Sequence, residues 1–206
     1  QTGIHIFWDN SNLYYSALNA VAPHHERFAD PRALRLHMDH LVDLVRVGRP
    51  IVRAVAVGSR LERIRPHFDR VGIAVETYEV GTETGREQGV DQCLQVHMLR
   101  TALDSPPGIA VLLTGDGKGS TEGVGFLADF QRMRRRGWSV ELLAWRRTCN
   151  VELREWAASE GTFTDLEDYY SEITFLENER VAKPLKVRNR TVVRHPAASS
   201  GVAPPG

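Results

Sequence analysis

Apolar residues fall along this chain in two rhythms. Runs with little alternation, residues 3 to 8, 51 to 57, 73 to 80, 109 to 113 and 139 to 145, have the pattern of strands covered on both faces. Between them, apolar residues at three-and-four spacing predict helices. The first covers Leu13 to Val21 with Ser11 or Asn12 as its cap, and the second runs from Asp30-Pro31 through Val45 to a stop near Gly48. Others are predicted over residues 60 to 71, 87 to 103, 126 to 136 (closed by Gly137) and 151 to 159 (ending at Gly161), with a last short strand over 162 to 166. Strand and helix alternate, which argues for an α/β fold with a doubly wound, mainly parallel sheet.

The polar residues that end these runs carry the chemistry. The central run, Ile109 to Leu113, stops at Thr-Gly-Asp-Gly, and the first run stops at Asp9-Asn10-Ser11-Asn12. Ligands bind at the carboxyl edge of such sheets, so Asp116 and Asp9 are delivered to a functional edge. Asp91 is predicted in the first turns of the helix that begins near Glu87, and helix amino ends meet the strand ends at that edge. Each acid alone has a structural account, as turn former or helix cap. Together, unneutralised carboxylates so close repel, which favours a bound cation. An oxygen-only set of Asp9, Asp91 and Asp116 suits Mg²⁺ or Mn²⁺ better than Zn²⁺.

Composition narrows the class. With 206 residues, 42% hydrophobic and 25% charged, the chain is an ordinary globular domain able to bury a core. Net charge is zero but uneven: six basic residues and no acid lie from Arg180 onward, leaving the tail +6 and the body −6. A domain over 1–179 followed by a basic, Pro- and Ser-containing tail over 180–206, disordered or linking, is the expected organisation. Such a tail suits nucleic acid and equally suits a solvated linker. Two cysteines are too few for a disulfide framework. No signal peptide is visible and no run approaches the ~20 apolar residues of a membrane span, so the expected setting is cytoplasmic, with no membrane partner.

Phe7-Trp8-Asp9-Asn10-Ser11-Asn12-Leu13, Glu87-Gln88-Gly89-Val90-Asp91-Gln92-Cys93-Leu94 and Leu113-Thr114-Gly115-Asp116-Gly117, in that order, resemble the NYN domain of the PIN-like nuclease superfamily. The helix ending at Gly137 and the following Trp138 to Trp145 continue the likeness, over about residues 3 to 175. The resemblance implies a three-layer fold with sheet order 3-2-1-4-5 and helices on both faces. It implies metal-dependent endonucleolytic cleavage of RNA leaving a 5′-phosphate, with Asp9, Asp91 and Asp116 holding the metal and Asn12 orienting the first. Two positions depart from it. Many relatives carry acids where this chain has Lys118 and His97, which leaves Glu87 or Glu122 as substitutes and Lys118 as a phosphate contact.

Single-stranded RNA is the expected partner, with Arg86, Arg134, Arg146 and Arg147 meeting phosphates and Trp145 offering a base a ring to stack on. Trp145 reads slightly better as core, and Arg134 equally as part of a solvated helix face. A catalytically weak RNA-binding module and a phosphohydrolase of small nucleotides are the competing functions. A Walker A loop is strongly disfavoured because Lys118 precedes Gly119 rather than Ser or Thr. Cys93 and His97 lack a second pair for zinc. A homo-oligomer or a further domain beyond the tail is left open.

Overall fold

The computed structural model describes residues 2–27, 30–58, 61–71, 74–79, 89–115, 123–187, 190–193 and 195–196. Strand β1 (Ile4–Asp9) leads into a helical run of α1 (Asn10–Ser16), a π turn (Ala17–Val21) and α2 (Ala22–His25). Then come β2 (Leu34–Leu36), α3 (Met38–Arg46), β3 (Ile51–Gly58), α4 (Arg65–Arg70), β4 (Val75–Glu79) and α5 (Val90–Asp104). The remainder is β5 (Ile109–Leu113), α6 (Phe126–Arg135), β6 (Ser139–Ala144), α7 (Val151–Glu160), β7 (Thr162–Asp165), α8 (Tyr170–Ile173) and β8 (Thr174–Leu176).

The main sheet runs β4-β3-β1-β5-β6-β7, all parallel. Counting only the five long strands read from sequence, this is the expected 3-2-1-4-5, extended by β7 at one edge. Every residue of β1, β5 and β6 is buried, as continuous apolar runs require. Side chains alternate between two cores. Ile4, Ile6 and Trp8 join Leu13, Val42, Phe68 and Ile173 on one face; Phe7, Val55 and Leu112 join Leu94, Phe130 and Leu153 on the other. No helix of the described residues is long and apolar enough to cross a membrane.

Two expectations are corrected here. The helix read from Asp30-Pro31 is a single 3₁₀ turn, capped by Asp30 as anticipated, and the chain then turns to strand. Leu34 and Leu36 are buried on either side of half-buried Arg35, and β2 pairs antiparallel with β8. A period of two therefore prevails until His37, whose Nδ1 accepts the His40 N–H and starts α3.

The described part of the basic tail is not a free linker. Glu141, fully buried on β6, receives Arg49 at 2.6 and 2.9 Å, Arg190 at 2.6 Å and the Val193 N–H at 2.7 Å. Arg49 also donates to the Val45 and Val193 carbonyls, and Arg190 to Val45 and Leu44. Two guanidinium groups share one carboxylate, and the carbonyl end of α3 stabilises the surplus positive charge.

Glu141→Gln leaves two buried cations without a counter-charge and should lower unfolding free energy by about 3–5 kcal/mol, measured by urea titration. An unchanged midpoint would show that the tail is not fastened there. His5, against Trp138 on the other face, is held down to about 4 by burial and by nearby Arg53. Its folded value lies below the unfolded 6.5, so its contribution to stability is full above pH 6.5 and is lost as pH falls toward 4. His5→Phe should flatten the stability–pH curve in that window.

Candidate active site

Strand order reverses between β1 and β5, and that switch point is where open parallel sheets form a crevice at their carboxyl ends. Asp9 is the last residue of β1 and sits there, 3% exposed. It has the alternation of His5 and Phe7, so its side chain belongs to the face covered by α5, α6 and α7. Its Oδ1 accepts the Asn12 N–H at 2.9 Å, capping α1, and its Oδ2 accepts the hydroxyl of fully buried Thr114 at 3.0 Å. Both oxygens are thereby oriented.

Asn12 continues the lattice. Its side-chain oxygen accepts the Gly115 N–H at 2.8 Å, and the Gly115 carbonyl accepts the N–H of Asn150, the cap of α7. The peptide just before Asp116 is thus tied to α1 on one side and to α7 on the other. A Cβ at 115 would lie 3.3 Å from the Cys149 Cα, so the close approach favours glycine. On the far side of β1, Gly58 (φ +126°) ends β3 against Ser11; a Cβ there would meet its Oγ at 2.5 Å.

Asp91 is the second residue of α5, half-buried at the amino end of a helix that packs on β1 and β3. A helix that precedes β5 in a parallel sheet begins at the carboxyl edge, so Asp91 and Asp9 share an edge and a face. Asp116 lies outside the described residues, as do Arg86, Glu87, Lys118 and Glu122. Among the described residues no three His, Cys, Asp or Glu side chains gather as a metal site.

His97 lies elsewhere. Its Nδ1 is 3.3 Å from the Arg53 guanidinium, which also binds Glu76 at 2.6 and 2.9 Å and Thr101 at 2.9 Å. Burial, then Arg53, lowers its pKa, so it is a neutral member of a polar layer beneath α5. That arrangement also accounts for its spacing from Cys93 without zinc.

The RNA contacts divide. Trp145 is corrected: it is 1% exposed and its indole N–H donates to the Leu13 carbonyl at 2.9 Å, so it fastens β6 to α1 and has no face for a base. Arg146 and Arg147 follow β6 at the same edge, exposed and paired with Asp165 and Glu167. Arg134, on α6, is 4.0 Å from Glu160. The looser Arg147 and Arg134 contacts are weak enough to exchange for phosphate, whereas Arg146 is held by a buried carboxylate. Sequence reasoning missed Thr114 and Asn150, whose roles depend on partners far along the chain; the Thr114-Gly115-Asp116 run was the one available signal.

Thr114→Val removes the donor to Asp9 Oδ2 and should destabilise the protein by about 1–3 kcal/mol, read from thermal melts, whereas Thr114→Ser should retain most of the stability.

No curated protein matches the chain. A family profile described as NYN domain matches residues 3–167, the span from β1 to the turn after β7 that contains the Asp9–Thr114–Asn12–Gly115 lattice and Asp91. The chain therefore belongs to the NYN domain family, of the PIN-like nuclease superfamily.

Proposed function

We propose that the protein is a metal-dependent endoribonuclease of single-stranded RNA, with Asp9, Asp91 and Asp116 as its metal-binding acids. Family membership supports nuclease-type chemistry directed at RNA. The observation that carries the finer reading is Asp9: a buried carboxylate at the switch point, both oxygens oriented by neutral donors. A carboxylate fixed in this way is a suitable oxygen donor to a hard cation. Oxygen donors from Asp9, Asp91 and Asp116 match Mg²⁺ or Mn²⁺.

When bound, such an ion neutralises phosphodiester oxygens and lowers the pKa of a water for in-line attack. The protein's part is positional. Thr114 and the Asn12 N–H fix the Asp9 carboxylate so that it need not reorganise, and Asn12 and Asn150 hold the Gly115 peptide that precedes Asp116. Arg146 and Arg147 supply exposed cations at the same edge for the strand's phosphates. His97 takes no part in this reading because it is bound to Arg53.

Asparagine at position 9 keeps a capping oxygen and the side-chain shape, so Asp9→Asn tests charge rather than cap. It should reduce Mn²⁺-dependent cleavage of a labelled single strand by about a hundredfold or more, since even residues supporting a metal ligand are worth ~10–100-fold. Asp91→Asn and Asp116→Asn should do likewise. Equal cleavage by wild type and Asp9→Asn, or full activity in EDTA, would end the proposal.

A second reading, an RNA-binding module without turnover, draws support from Lys118 and His97 standing where many relatives carry acids. It predicts RNA binding without cleavage and a melting midpoint indifferent to millimolar Mg²⁺.

A further inference from the structure

A cleft of about 400 Å³ opens on the side of β1 away from α5, among α1, α3, α4 and β8. Asn10, Tyr14, His37, Arg63, His67 and Phe175 line it. It begins at the functional edge, since Asn10 adjoins Asp9 in the chain and Tyr14 follows one helical turn later on the same face of α1. Its volume falls in the range of sites for small organic groups.

The lining has complementary polarity. The Nδ1 of His37 accepts the His40 N–H at 3.3 Å, so the neutral ring carries its proton on Nε2 and offers a donor. His67 turns its Nδ1 to Asp39, which also holds Arg70, so the neutral ring keeps a lone pair on Nε2 and offers an acceptor. Tyr14 and Phe175 are half-buried and contribute ring surface. Arg63 is exposed at the mouth, and its contact with Glu62 is a loose 3.8 Å. One donor, one acceptor, aromatic surface and a nearby cation are what a nucleobase and its phosphate require.

We propose that this cleft holds one nucleotide of the RNA strand flanking the cleaved bond, its base stacked on Tyr14, its edge read by His37 and His67, and its phosphate met by Arg63. The inference rests on the nuclease reading and extends it to the path of the substrate: the strand crosses the carboxyl edge from this cleft to Asp9.

The test uses the full chain carrying Asp9→Asn, in EDTA, with a fluorescent single-stranded oligoribonucleotide followed by anisotropy. Tyr14→Leu and Arg63→Ala should each weaken binding by about tenfold, and Tyr14→Phe should bind like the parent. In the cleavage-competent protein the same two changes should raise KM more than they lower kcat. Affinity and KM within twofold of the parent for both would overturn the cleft while leaving the nuclease reading intact. RNA binding that depends on Tyr14 and Arg63, without any Mn²⁺-dependent cleavage, would overturn the nuclease reading alone. Should Tyr14→Leu lower the melting midpoint, exposed Arg63 decides. Binding of mononucleotides but not of the oligonucleotide would overturn both.

Discussion

The central constraint is the complete enclosure of β1. It has a strand on each side and helices on both faces, so each residue from Ile4 to Trp8 is sealed from water, and polar chemistry can begin only where the strand ends. Asp9 is that end. A carboxylate there is tolerable because Asn12 and Thr114 each direct a donor at it. Removing β1's neighbours would dissolve both the core and the site.

The molecule separates its paired charges by task. Glu141 with Arg49 and Arg190 forms a closed set, saturated by guanidinium donors, and its effect is to fasten the tail and the end of α3 to β6. Arg53 with Glu76, His97 and Thr101 is another saturated layer, joining α5 to β3 and β4. Asp9 is held differently: a backbone amide and a hydroxyl orient it at the end of β1. The guanidinium clusters serve the fold, whereas Asp9 is the carboxylate that the end of β1 places at the sheet's carboxyl edge.

The histidines illustrate why residue type alone misleads. His97 is read from sequence as an acid's substitute, yet its ring belongs to Arg53; His37 and His67 attracted no notice in the sequence, yet they share a cleft wall with opposite hydrogen-bonding character. Trp145 beside two arginines admits both a stacking and a core reading, and its indole, bonded to the Leu13 carbonyl across the α1 packing layer, decides for core.

What the amino-acid sequence determined by itself was local or periodic: five of the six strands of the main sheet at nearly their true limits, the helices whose glycine stops are adjacent in the chain, and the strand-end position of Asp9, which in place of the expected Ser11 or Asn12 caps the first helix. β7 was legible too, as a short run after Gly161. These follow from burial patterns within ten residues. Tertiary structure alone decided what depended on distant partners. Leu34 to Leu36 became a strand because β8, some 140 residues later, supplied its hydrogen bonds. Arg190 left solvent because Glu141 awaited it in the core, and Thr114 gained its role from a carboxylate 105 residues away. Pairing energies of that kind are set by which surfaces the folded sheet brings together, and no local pattern records them.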